Sequence, residues 1–289
     1  MNTAPETVVI HEVGPRDGLQ NEPGVIGLDA KLALIAALAE AGLREIEIGS
    51  FVSPKWVPQM AASGEVLARV APGPRYGVLV PNLKGWEAYR AVETAASSWI
   101  AVFVSATEGF SRANLNCSVA ESIERARPVV DAARAAGVAV RGYVSCVTDC
   151  PFEGRVPPGQ VAQVAERLTA LGDMQLSLGD TIGQGDPERV DAMLGAVLDV
   201  AAGDRLAGHF HDTNGQALDN VRVSLERGLR AFDSAVGGLG GCPYAPGAPG
   251  NLATEALVEM LAEAGFATGV DPDRLAEAAR MARAMKGTA

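Results

Sequence analysis

The chain has 289 residues, close to the ~250 typical of one (β/α)8 barrel, and 48% of them are hydrophobic, enough for a sizeable core. Its formal net charge of −11 repels phosphate backbones and argues against nucleic acid as a partner. With no secretory pattern, no run of 18 apolar residues and four cysteines (117, 146, 150, 242) that fit no zinc-finger spacing, the expectation is a cytoplasmic protein without a membrane segment and with reduced thiols.

Short β-rich runs alternate with amphipathic stretches along the chain. The strand candidates are Val8–Val13, Glu45–Ile48, Tyr76–Val80, Ile100–Ser105, Ala139–Ser145, Gln175–Leu178, Leu206–His211 and Ala231–Ala235. Helices are expected near 29–41, 58–70, 83–95, 119–136, 158–171, 187–202, 215–228 and 251–264, with an extra C-terminal helix at 272–285. Gly42 and Gly137 stand where helices should stop, and Asp186-Pro187 reads as an N-cap with Pro at the first helical position. Eight β–α units predict one (β/α)8 TIM barrel over 1–289, a single domain. The rival, a doubly wound open sheet, usually carries a glycine-rich phosphate loop after its first strand. Here that loop is Gly14-Pro15-Arg16-Asp17-Gly18.

Catalytic groups of such barrels sit at the C-terminal ends of strands. The first strand ends in Arg16 and Asp17, the second carries Glu47, the fifth Arg141 and Tyr143, the sixth ends at Asp180, and the seventh carries His209 and His211. Side chains at i and i+2 of a strand share a face, so His209 and His211 either share a metal or are ordinary packed histidines. Strands one, seven and eight are neighbours in a closed barrel, which brings Asp17, His209, His211 and Asn251 within reach of one another. One carboxylate, two imidazoles and an amide oxygen suit Mg²⁺ or Mn²⁺; zinc fits less well unless Cys242 joins the set. Arg16 reads as a cation for a developing enolate oxygen, or else as a structural partner of Glu47 or Asp180. Glu47 is expected to orient Arg16 or a histidine, Asp180 to contact substrate or handle a proton, and Arg141 and Tyr143 to contact substrate. His11 reads as structural.

The stretch Gly237–Gly250 holds too much Gly and Pro for a helix or central strand. It reads as a lid with Cys242 in its middle, a thiol placed for proton transfer.

The segments EVGPRDGLQNE (12–22), EIGSFVSPKWVPQM (47–60), PNLKG (81–85), RGYVSC (141–146), SLGDTIG (177–183), GHFHD (208–212), GGLGGCPYA (237–245) and GNLAT (250–254) resemble, in the same order, the 3-hydroxy-3-methylglutaryl-CoA lyase family. The lid and the SFVSPKWVPQM run are specific to that family. The His-x-His and Arg-Asp elements are shared with related acyl synthases. The resemblance implies a divalent cation on Asp17, His209, His211 and Asn251, an acyl-CoA substrate, and retro-Claisen cleavage to acetyl-CoA and acetoacetate. Asp17 would be the base, Arg16 the enolate partner and Cys242 the proton donor. Gln20, Asn114 and Glu255 match further site positions. The family's usual Lys after Gln-Asn-Glu is Pro23 here. The resemblance also implies a homodimer or larger homo-oligomer and a place in leucine breakdown. Alternatives on the same metal barrel are a lyase for a related 3-hydroxy-acyl thioester or a free hydroxy acid, and a Claisen-type synthase.

Overall fold

The computed structural model describes residues 5–241 and 250–286. Eight parallel strands close a barrel in which each strand neighbours the next in sequence and the last returns to the first. They are β1 Val9–Glu12, β2 Glu45–Ser50, β3 Arg75–Leu79, β4 Ser97–Ser105, β5 Ala139–Ser145, β6 Gln175–Asp180, β7 Leu206–Phe210 and β8 Ala231–Ser234. Around them lie α1 Leu28–Glu40, α2 Ser63–Arg69, α3 Leu83–Arg90, α4 Glu108–Leu115, α5 Val119–Ala135, α6 Pro158–Thr169, α7 Pro187–Leu198, α8 Ala217–Glu226, α9 Thr254–Glu263 and α10 Pro272–Met285. The (β/α)8 architecture and the extra C-terminal helix are as expected. No helix among the described residues is long and apolar enough to cross a membrane.

Local chemistry sets the element ends. The Ser118 hydroxyl accepts from the Glu121 amide while the Glu121 carboxylate accepts from the Ser118 amide, a capping box that starts α5. The Asp186 carboxylate accepts from the Arg189 amide, with Pro187 opening α7. The expected helix 58–70 is interrupted: the Ser63 hydroxyl donates to the Met60 carbonyl and accepts from the Ser50 amide, leaving a short 3₁₀ turn before α2. The expected helix 83–95 stops at Arg90, because the hydroxyls of Thr94 and Ser97 take backbone amides in a turn. Two elements were not expected, α4 and a hairpin of Asp149–Cys150 with Gly154–Arg155. Both lie in polar stretches without a clear apolar period. The expected helix 251–264 begins only at Thr254, which frees Asn251 for another use.

The lumen is identified by bonds across it. The Tyr143 hydroxyl on β5 donates to Glu47 on β2, and Arg141 on β5 pairs with Asp233 on β8. An apolar cluster of Leu79, Trp99, Ala101 and Tyr143 adjoins these groups, with Phe103 against it. His11 meets Trp99 edge-on at 6.0 Å and is buried. Trp99 lies directly over its cross-strand partner Gly77, where a Cβ would stand 2.2 Å from the indole. Gly77→Ala is therefore expected to destabilise the barrel by about 1–3 kcal/mol through overpacking, seen as a lower Tm in calorimetry. An unchanged Tm would mean that Trp99 has room to move.

Candidate active site

After β1 the chain makes a tight turn, Gly14–Gly18, whose amides at Asp17 and Gly18 both reach the Val13 carbonyl. That turn carries Arg16 and Asp17 to the C-terminal mouth. His209 is the inward residue near the end of β7, in register with Asp233 on β8. His211 lies just past β7 rather than within it. The returning segment 250–252 runs beside that end: the Asp212 amide donates to Gly250, the Leu252 amide donates to Phe210, and His211 bridges to Asn251. Two histidines and an asparagine thus face the Arg-Asp turn.

One atom from each of Asp17, His209 and His211 falls in a group whose members all lie within 4.8 Å of one another. The imidazole centroids are 5.4 Å apart. Asp17 Oδ1 accepts from Arg16 Nη1 and from Gln20 Nε2, each at 2.7 Å, and Oδ2 accepts from Asn251 Nδ2 at 2.9 Å. Arg16 Nη2 donates to Glu47 Oε2 at 2.7 Å, and Tyr143 donates to the same oxygen at 2.8 Å. Among the described residues Arg16 Nε, Glu47 Oε1 and His211 Nδ1 are buried with no hydrogen-bond partner. Buried polar atoms are rarely left so, and all three belong to residues of the site just described.

Charge follows from this packing. Burial works against the Arg16 cation, but Glu47 and Asp17 outweigh it and hold the guanidinium protonated well beyond its ordinary range. Burial raises Asp17, yet Arg16 and then the two imidazoles bring it below the usual carboxylate range. Burial and the neighbouring His209 lower His211 to about 4, so at neutral pH it is an uncharged imidazole able to donate a lone pair. His209 Nδ1 is 3.0 Å from Asp233 Oδ2, which leaves Nε2 as its free nitrogen. A carboxylate behind the far nitrogen is the usual outer partner of a metal-binding histidine. Asp233 is held in turn by Arg141 and, at 2.8 Å, by the Ser177 hydroxyl. The donor set, the free lone pairs and the orphaned His211 nitrogen fit a divalent cation.

The other expected residues are placed as follows. Gln20 and Glu47 join the group. Arg141 and Tyr143 lie beneath it in the lumen, so Arg141 (3% exposed) braces Asp233 and Tyr143. Asp180 follows the inward series 175, 177, 179 and so faces the other way. Its carboxylate accepts from Thr148 at 2.7 Å and from the amides of Gln184 and Gly185, and burial raises its pKa. Among the described residues those bonds organise the β6–α7 loop. Asn114 is exposed on α4. Glu255 accepts from the Gly237 amide at 2.8 Å and pairs with Arg283, at the stem of the Gly-rich stretch. Cys242 lies outside the described residues. Asp233, which the sequence reading passed over, is the carboxylate that orients His209.

Fold and site together define a (β/α)8-barrel protein with a candidate metal centre at the C-terminal mouth. Residues 7–282 match the HMGL-like family model, and the chain belongs to that family. It is 52% identical to hydroxymethylglutaryl-CoA lyase of Pseudomonas mevalonii, over 98% of this chain and 94% of that one. It is 51% identical to the 3-hydroxy-3-isohexenylglutaryl-CoA/hydroxymethylglutaryl-CoA lyase of Pseudomonas aeruginosa, over 98% and 94%. The crystal structure of the HMG-CoA lyase from Brucella melitensis superposes with a TM-score of 0.95 at 57% identity, covering 97% of this chain and 99% of that one.

Proposed function

We propose that this protein is a divalent-metal-dependent carbon–carbon lyase that cleaves 3-hydroxy-3-methylglutaryl-CoA to acetyl-CoA and acetoacetate. The observation that carries the reading is the Asp17–His209–His211 group with the Arg16 cation bonded directly to its carboxylate, in a chain about half identical to named lyases. Asp17, His209, His211 and Asn251 would hold Mg²⁺ or Mn²⁺, which when bound supplies Lewis acidity for ionising a tertiary hydroxyl near neutral pH. Asp17 takes the hydroxyl proton. The oxygen electrons form the ketone of acetoacetate as the C2–C3 bond breaks, and that bond pair passes into the thioester as an enolate. Arg16, held by Glu47 and Asp17, places its charge for that enolate oxygen. Cys242 delivers the proton that completes acetyl-CoA. Glu47 and Tyr143 aim Arg16, Gln20 steadies Asp17, and Arg141 steadies Asp233. Asn114 is assigned to substrate contact from the matching family position alone. Asp180 and Glu255 fix the loops at the mouth. The family resemblance supports a homo-oligomer, a cytoplasmic setting and a place in leucine breakdown.

The test is cleavage of hydroxymethylglutaryl-CoA with Mg²⁺ or Mn²⁺ and with a chelator, scoring acetoacetate. Metal-dependent turnover at roughly 1 s⁻¹ or more, within the usual enzyme range, is expected. No acetoacetate from folded, metal-loaded protein would overturn the substrate. The P. aeruginosa relative's name favours a second reading, a longer 3-alkyl substituent. A kcat/KM for the isohexenyl thioester equal to or above that for the methyl one would establish it.

A further inference from the structure

Glu12 ends β1 on the side away from the lumen, fully buried. An ionised carboxylate there is costly unless it is well bonded, and three donors converge on it. Oε1 accepts from the Gly14 amide at 2.8 Å and the Val236 amide at 3.0 Å, and Oε2 accepts from the Thr254 hydroxyl at 2.7 Å. Ser234 Oγ stands 2.9 Å from that hydroxyl. The three donors belong to three separate segments. Gly14 opens the turn that carries Arg16 and Asp17. Val236 follows β8 and leads into the Gly-rich stretch. Thr254 opens α9, three residues after Asn251.

The packing around it is close enough to transmit position. A Cβ on Gly14 would stand 2.5 Å from Glu12 Oε1, and one on Gly18 would stand 2.6 Å from Leu239 Cβ. The turn therefore rests on the stem of the stretch, with Glu12 as the shared anchor. Of the four candidate ligands, Asp17 and Asn251 come from segments tied to Glu12, whereas His209 lies on β7 and His211 just past its end.

We propose that Glu12 is a positioning residue that sets Asp17 and Asn251 in register with each other, and through them the affinity of the metal centre; the inference rests on the reading of that centre given above. Thr254 is its second arm. Burial pushes the Glu12 carboxyl up to about 7 against the pull of its three hydrogen bonds, which agrees with a group retained for geometry at a cost in solvation.

The experiment is titration of chelator-stripped protein with Mn²⁺, read by EPR, alongside kcat and KM. Glu12→Gln keeps an acceptor for both amides and an amide to face Thr254, so its Mn²⁺ Kd should stay within about threefold of native. Glu12→Ala should weaken Mn²⁺ by roughly 10–100-fold, the range for loss of an outer-sphere support, and lower kcat in proportion at subsaturating metal. Thr254→Val removes one arm without opening a large cavity and should give a smaller loss of the same kind. A folded Glu12→Ala with native Mn²⁺ affinity overturns the inference. If Glu12→Ala does not fold, native affinity in Thr254→Val overturns it equally. Failure of the native protein to bind Mn²⁺ would instead sink the metal centre itself, and this inference with it.

Discussion

Arg16→Gln is expected to lower kcat by several orders of magnitude, roughly 3–5 kcal/mol at ~1.4 kcal/mol per tenfold, with KM nearly unchanged. The reason is where the charge sits. Arg16 is 6% exposed, with Glu47 on one nitrogen and Asp17 on another, so it cannot swing out to water and its field is weakly screened. A cation fixed in that way favours the enolate far more than the neutral thioester, and such an interaction appears in kcat. Gln keeps a donor and loses the charge. The substitution also takes from the buried Glu47 carboxylate its charged partner, leaving the Tyr143 hydroxyl bonded to it, so stability and Mn²⁺ affinity must be measured beside the rate. A folded, metal-binding Arg16→Gln whose defect lies in KM alone would remove Arg16 from the enolate role. Normal turnover would remove it from the reaction.

Legibility from sequence differed by residue, for physical reasons. The barrel was visible because eight β-rich runs alternate with helical periods. His209 and His211 were visible because i, i+2 spacing is local. Asp17 was visible only through the closure of the barrel, which makes strands one, seven and eight neighbours. Asp233 gave no local signal: its partners Arg141, Ser177 and His209 lie 92, 56 and 24 residues away. Strand register alone, with Asp233 opposite His209, would have found it. Glu12 did leave a trace, as a carboxylate on the outward side of a strand otherwise buried there by Val8 and Ile10. Asp180 stands at the end of its strand, which is why the sequence suggests a substrate contact or a proton-handling role for it. Parity turns it outward, one residue past Gly179. The same counting places Arg141 inward on β5, where it pairs with Asp233 on β8 and donates to the Tyr143 hydroxyl.

Asp17→Ala is expected to abolish Mn²⁺ binding and metal-dependent turnover together, and comparison with Asp233→Asn shows why. Asp17 brings the charged oxygen donor of the group and accepts from Arg16, Gln20 and Asn251. Its loss removes a ligand and leaves two imidazoles beside an Arg16 cation that is no longer offset on that side, so a dication meets repulsion where it met a carboxylate. Asp233→Asn leaves all four candidate ligands in place. The carboxylate that accepts from His209 Nδ1 becomes an amide able to donate to it, and the tautomer with the proton on Nε2, facing the other ligands, gains weight. That loss should be about 10–100-fold in metal affinity, recoverable by raising Mn²⁺, whereas the Asp17→Ala defect should persist at any practical metal concentration. Isothermal titration with Mn²⁺ and turnover against metal concentration measure both variants. Near-native binding in Asp17→Ala would move the cation elsewhere. A defect in Asp233→Asn that excess Mn²⁺ does not relieve, with Tm sharply lowered, would assign Asp233 to holding the buried Arg141 rather than to orienting His209.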